Sequence, residues 1–155
     1  MNQKLSDWAS IAEIISGVAV LVTLIVLILG IRDNTQVLRA SAYANNIDSL
    51  NDLSAEITKD EDSLRVWGAF LAGETEDLDE VDALRLLNYV FMIFRIYEKA
   101  YFFEQNGLIG EEEKYRFDRN TCSQFGNVRS ASMAPVLETI LTREFFVYIT
   151  DSCRD

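Results

Sequence analysis

The feature that most constrains this chain is an uninterrupted apolar stretch at residues 14–31, which contains no charged residue and no proline. A helix rises about 1.5 Å per residue, so this stretch covers about 27 Å, close to the roughly 30 Å hydrocarbon layer of a bilayer. Ile31, Arg32 and Asp33 follow Gly30, and no small-residue cleavage site is present there. The pattern predicts a retained transmembrane helix, with residues 1–39 as the anchor and its flanks.

Helical spacing continues through the rest of the chain. Apolar residues recur three or four positions apart at 47–57, 64–71, 84–101, 136–141 and 145–153. Asp60, Asp79 and Thr142 stand where helix N-caps are expected. The sequence therefore predicts an all-α protein: a single N-terminal transmembrane helix followed by a small helical soluble domain at residues 40–155. The residues expected on buried helix faces are Leu64, Trp67, Phe70, Leu71, Leu84, Leu87, Phe91, Phe94 and Tyr101, with Leu86, Val90, Ile93 and Tyr97 widening the buried side of the longest soluble helix.

The net charge of −11 is carried by the predicted soluble domain. Within residues 1–39 the cations balance the anions: Lys4, Arg32 and Arg39 against Asp7, Glu13 and Asp33. An acidic domain repels the phosphate backbone of nucleic acids and anionic lipid headgroups. Long nucleic acids are therefore not expected as partners, whereas membrane lipid around residues 14–31 is.

The chain has no histidine and only two cysteines. Without histidine, Ser-His and Cys-His nucleophile pairs and imidazole metal ligands are excluded. Cys122 and Cys153 lack the spacing of zinc ligands or of a CxxC motif, and we expect two free thiols, with a disulfide as the alternative. The acidic clusters at 60–62, 77–82 and 111–113 lack the ligand pattern of a calcium loop. The sequence thus predicts no catalytic residue, no metal and no cofactor.

One face of the apolar helix is built of small residues. They are spaced as in a heptad repeat and comprise Ala9, Ala12, Ser16, Ala19, Thr23 and Gly30, with Val26 between the last two. Small residues let helix backbones approach closely in lipid, so this seam predicts self-association. The spacing continues at Val37, Ala40, Ala44 and Ile47, which indicates that the helix extends beyond Arg32. The alternative is a monomeric anchor, or packing against another subunit.

Two further features suggest ligands or ions. Glu13 lies near the seam, where it is either a carboxylate at the mouth of an oligomeric pore or a side chain that reaches the membrane interface. Cations and aromatic residues are also concentrated in one segment: Lys114, Tyr115, Arg116, Phe117 and Arg119, with Arg129 further along. Such residues can hold a phosphate and stack a base, so a small anionic or nucleotide ligand is one hypothesis. A charged outer helix face above aromatic packing is the other.

The segments WASIAEII at 8–15 and IRDNTQVLRASAY at 31–43 resemble the start of a family of uncharacterised small bacterial membrane proteins. Residues 102–113 and 142–146 are also similar to that family. Gly30 and Asp33 stand where glutamines are expected, and both cysteines are unusual. The resemblance implies one N-terminal transmembrane helix and an all-helical domain in the bacterial inner membrane. It implies no activity.

The sequence thus favours a membrane-anchored, self-associating helical interaction or scaffold protein that is not an enzyme. The alternative is an oligomeric membrane effector or pore, gated by a ligand such as a nucleotide second messenger, for example in bacterial antiviral defence. Arg32 and Arg39 outnumber Lys4 around the span, so the rule that cations stay inside favours a cytoplasmic domain and an outer N-terminus.

Overall fold

In this computed structural model the backbone is described for residues 2–154, and the side chains for Glu13 and residues 15–154. Within those limits the chain forms helices and no strand, which confirms the prediction of an all-α protein. The helices are α1 (Asn2–Ile57), α2 (Glu61–Ala72), α3 (Glu80–Gln105), α4 (Glu111–Ser130), α5 (Ala134–Ile140) and α6 (Arg143–Ser152). The chain divides into two compact units, Met1–Leu38 and Arg39–Asp155.

Helix α1 continues past Arg32 to Ile57, as the spacing predicted. Residues 31–57 contain no proline and no glycine, so nothing in the backbone chemistry ends the helix there. Polar side chains along it are satisfied by the helix itself. The Thr35 hydroxyl donates to the Ile31 carbonyl at 2.9 Å, and the Ser49 hydroxyl donates to the Asn45 carbonyl at 2.8 Å. Helix α1 therefore supplies both the apolar stretch and one element of the second unit.

Side-chain caps begin α2, α3 and α6, and a glycine ends α2. Asp60 accepts from the Ser63 amide at 2.9 Å, Asp79 accepts from the Asp82 amide at 2.9 Å, and Thr142 accepts from the Phe145 amide at 3.4 Å. Gly73 follows α2 with φ of 75°, a left-handed conformation that favours glycine. The predicted caps at residues 60, 79 and 142 are confirmed.

Helix α3 lies at the centre of the second unit, where it packs against α2 and α4. The fully buried aromatic residues come from four different helices and are Phe70, Phe94, Phe125 and Phe145. The predicted burial of Leu84 was wrong, since it is 62% exposed, while Leu86 and Val90 of the same helix are buried. Leu64 and Leu71 of α2 are likewise half exposed. Because α3 is apolar on both sides, its spacing did not decide which side faces the core.

One buried carboxylate ties α3 to the last helix. Glu98 accepts from the Thr142 backbone amide at 2.7 Å and from the Arg95 guanidinium at 2.7 Å. Thr142 is the N-cap of α6, so Glu98 satisfies a backbone donor at the start of that helix. Burying a polar group costs free energy unless it is hydrogen-bonded. This contact pairs the Glu98 carboxylate with the Thr142 amide.

The expectation of free thiols was wrong. Cys122 and Cys153 form a disulfide with a Cα–Cα distance of 5.0 Å. Helix α4 ends at Ser130, and the short helix α5 then connects it to α6. Helices α4 and α6 pack together, which brings the end of α6 beside the middle of α4. Cys122 and Cys153 are 31 residues apart in the sequence, and this spacing did not indicate that they lie close together.

Candidate functional site

The apolar stretch of α1 is exposed wherever its side chains are described. From residue 15 to residue 31 every side chain is exposed, and this is the one helix among the described residues that is long and apolar enough to cross a membrane. The ability of α1 to cross a membrane is inferred from its length and its composition alone. An apolar surface of this extent requires lipid or other helices to cover it, because water solvates it poorly.

Most of the predicted seam lies on this uncovered surface. Ser16, Ala19, Thr23 and Gly30 are exposed, whereas the side chains of Ala9 and Ala12 lie outside the described residues. The Thr23 hydroxyl donates to the Ala19 carbonyl at 2.9 Å, so its polar group is satisfied within the helix. A Cβ placed on Gly30 would meet no other atom of the described chain within 4 Å.

The predicted continuation of the seam is exposed only in part. Val37, Ala40 and Ala44 are exposed, whereas Ile47 is partly buried against the core of the second unit. Within the second unit, Ala42, Asn46 and Leu53 of α1 are buried. Glu13, the candidate pore carboxylate, is exposed as well.

The cationic cluster predicted on α4 is divided by the helix. Lys114 points towards α6, where its ammonium lies 2.8 Å from an Asp118 oxygen and 2.6 Å from the Tyr148 hydroxyl oxygen. The Arg116 guanidinium donates to Glu112 at 2.6 Å, and the Arg129 guanidinium lies 5.5 Å from the centre of the Phe125 ring. Tyr115 and Arg119 are exposed. The helix thus distributes these side chains over several faces.

Lys114 also lines a small cavity between α3, α4 and α6. Its volume of about 10 Å³ suits one water molecule rather than a nucleotide. Its polar lining comes from α3 and α4 and consists of Tyr97, Tyr101, Glu104, Lys114, Asp118 and Thr121. Tyr101 and Tyr148 were not among the predicted site residues. Their spacing matches that of core aromatics, so the sequence offered no signal for them.

The protonation states in this cluster follow from its contacts. Burial raises the pKa of Tyr97 and of Tyr148 above the ordinary value for a phenol. Burial by itself lowers the pKa of Lys114, but the hydrogen bonds with Asp118 and Tyr148 outweigh it and raise that pKa. Lys114 is therefore firmly cationic and already occupied by partners of its own chain. Such a lysine suits a structural role better than the capture of an anion.

A wide groove lies between the end of α1 and the outer face of α3. Its volume is about 740 Å³, and it opens to solvent. Apolar and acidic side chains share its lining, namely Ser49, Asp52, Leu53, Glu56, Asn88, Phe91, Met92, Arg95 and Ile96. Arg95 is paired with Glu98 and Glu56 with Lys59, so Asp52 contributes the unbalanced negative charge among the groove's described lining residues. The outer face of α3 extends this surface, since Val81 is 65% and Leu84 62% exposed.

Beside this groove is a smaller apolar pocket of about 160 Å³, lined by side chains of α1, α2 and α3, among them Ile57, Leu64 and Trp67. The two depressions share Leu53. The groove and the pocket both lie within the second unit. Comparison with known proteins assigns no role to them: no protein-family model, no curated protein and no solved structure matches this chain.

Proposed function

We propose that this chain is a membrane-anchored helical protein that self-associates and acts by binding other proteins. The observation that carries the proposal is the uncovered apolar surface of α1, where every side chain from residue 15 to residue 31 is exposed. Lipid can cover most of that surface. The small residues on one side of it favour a second helix of the same kind, because they allow close backbone contact.

The face that carries the seam supports self-association in particular. Ala19, Thr23 and Gly30 lie on it, and Ala40 and Ala44 of its predicted continuation are exposed. Parallel copies in one membrane would place these faces side by side. Within the second unit Ala40 and Ala44 are exposed while Ala42 and Asn46 are buried, so contact through Ala40 and Ala44 requires no unfolding of that unit.

The groove between α1 and α3 supports a role in binding a protein partner. Phe91, Met92 and Ile96 supply an apolar floor, and Asp52 and Glu56 supply negative charge. A helix with an apolar face and lysine or arginine on its flanks complements both features. The proposed role is therefore that of an interaction or scaffold protein in a bacterial inner membrane, and no enzymatic step is part of it.

The test is the mass of the full-length protein in detergent, measured by light scattering. The wild type is expected to be a defined oligomer. Ala19→Leu combined with Gly30→Leu adds bulk on the seam and is expected to yield monomers. Leu21→Phe combined with Ile28→Phe adds bulk on the far side of α1 and serves as the matched control. A monomeric wild type, or a seam variant that keeps the wild-type mass, would refute self-association.

An oligomeric effector or pore that responds to a small anion, such as a nucleotide second messenger in antiviral defence, is the second candidate. The exposed Glu13 on α1 and the exposed Tyr115 and Arg119 on α4 favour it. The pairing of Lys114 and Arg116 within the chain weighs against it. The test compares ion flux into vesicles containing the wild type, Glu13→Ala, or Arg116→Ala with Arg119→Ala. Equal flux in all three would exclude this function.

The cations near the span and the disulfide favour opposite orientations of the chain in the membrane. Arg32 and Arg39 against Lys4 favour a cytoplasmic domain, and this stays a prediction from the sequence. The disulfide between Cys122 and Cys153 favours the other side.

A further inference from the structure

The disulfide joins α4 and α6, two helices that are separated in the chain by the short helix α5 and that pack together. Cys122 lies in the middle of α4, and Cys153 is the C-cap of α6. Their Cα atoms are 5.0 Å apart, within the range that a disulfide spans without backbone movement. They are the only two cysteines in the sequence, so this pairing has no competitor within the chain.

We propose that the domain formed by residues 39–155 lies on the oxidising, extracytoplasmic side of the membrane. Protein disulfides persist outside the cytoplasm, whereas cytoplasmic thiols are kept reduced by glutathione and thioredoxin. The bond forms by thiol–disulfide exchange with an exported oxidoreductase. Cys122 and Cys153 together lose two protons and two electrons, and the disulfide of the oxidoreductase is reduced to two thiols.

The lysine and arginine residues near the span oppose this orientation only weakly. The bias towards a cytoplasmic domain rests on Arg32 and Arg39 against Lys4, a difference of one cation. Residues 40–58 add no lysine and no arginine. Acidic residues contribute little to orientation, and long domains are translocated largely regardless of their charge. A single cation is thus a weaker indicator than a disulfide between two packed helices.

This inference rests on the membrane anchoring in the proposed function and narrows the class of partner. If the domain is extracytoplasmic, the groove with Asp52, Glu56 and Phe91 is accessible to exported proteins and to the outer portions of other membrane proteins. Cytoplasmic second messengers are then excluded as ligands of the α4 cations. An extracytoplasmic domain is therefore compatible with the scaffold role and incompatible with gating by a cytoplasmic messenger.

The experiment follows the thiols of the full-length chain in bacterial cells. Cells are quenched in acid, and the protein is treated with a maleimide-linked polymer before or after reduction. The expected result is no added mass before reduction and two tags after it. Cys122→Ser is the matched control and should take one tag without reduction. Two tags on the unreduced wild type would overturn the proposal.

A second measurement does not depend on the cysteines. Alkaline phosphatase fused after Asp155 is active only outside the cytoplasm, and a green fluorescent protein fused there is fluorescent only inside it. Active phosphatase and a dark fluorescent fusion are expected, and the reverse would overturn the orientation. Carbonate extraction of the membranes separates the two proposals. Reduced thiols in an extraction-resistant chain contradict the orientation alone, whereas oxidised thiols in a soluble chain contradict the anchoring.

Discussion

The two units of this chain use the same helical chemistry and differ in what covers it. In the first unit, the apolar side chains from residue 15 to residue 31 are all exposed. In the second, Phe70, Phe94 and Phe125 are completely buried by neighbouring helices. Backbone hydrogen bonds within one helix stabilise the first unit, whereas packing between helices stabilises the second. The apolar side chains of the first unit are therefore left for molecules outside the chain to cover, whereas the second unit buries its apolar side chains with its own helices.

The largest expected effect is a loss of stability on truncating a buried side chain of the second unit, which truncating an exposed side chain of the first unit should not cause. Phe94→Ala removes a fully buried ring and should lower the free energy of unfolding of the second unit by about 3–5 kcal/mol. Leu24→Ala removes a similar amount of apolar surface from the uncovered stretch and should leave that free energy unchanged. The measurement is denaturant unfolding of the full-length protein in detergent, followed by tyrosine and tryptophan fluorescence. Equal losses in the two variants would contradict the comparison.

The disulfide should be the next largest contribution, and it belongs to the second unit alone. Replacing both residues, Cys122→Ser with Cys153→Ser, is expected to cost about 3–4 kcal/mol, because the bridge restricts a loop of roughly 30 residues in the unfolded chain. Helices α5 and α6 are too short to be stable on their own, so protection from hydrogen exchange should be lost there first. Unchanged exchange in α6 would show that packing alone holds it.

Glu98 provides a smaller and more local test of the packed unit. Glu98→Ala leaves the Thr142 amide without its acceptor and should cost roughly 1–3 kcal/mol. Arg95→Ala removes the other partner of Glu98, but Arg95 is mostly exposed, so its loss should cost much less. Thermal unfolding of both variants decides between them. If Arg95→Ala were the more damaging variant, the backbone contact would not be the important one.

The smallest expected effect is a decline in stability at alkaline pH. The pKa of Tyr97 and that of Lys114 are higher in the folded chain than their ordinary values of 10.0 and 10.5. Above about pH 10 the unfolded chain therefore releases protons that the folded chain retains, and stability falls as the pH rises. Tyr97→Phe and Lys114→Met should flatten this decline. Unfolding midpoints between pH 8 and pH 11 test it, and an unchanged slope in both variants would contradict it.

Several elements were predictable because their signals are local. The length of α1 follows from an apolar stretch and from a following segment without proline or glycine. Asp60, Asp79 and Thr142 cap helices through contacts with residues only three positions away. Helical spacing also predicted that Lys114, Arg116 and Arg119 do not share one face of α4, but not the exposure of Tyr115, which was expected in aromatic packing and is exposed.

Contacts between distant segments were not predictable in this way. The helical period is compatible with either side of α3 facing the core, and only packing against α2 and α4 buries Leu86 and leaves Leu84 exposed. Lys114 meets Tyr148 across 34 positions, and nothing in either segment indicates the other. The groove has the same origin, because Asp52 and Phe91 come from different helices.

The sequence by itself determined the helical class, the apolar stretch and the ends of most helices, since these depend on hydrogen bonds and hydrophobic spacing within a few residues. Only the tertiary structure decided which faces are covered, that Cys122 and Cys153 are bonded, and that Lys114 is occupied by Asp118 and Tyr148. The physical reason is that burial and pairing depend on which distant helices meet, and local spacing carries no information about that.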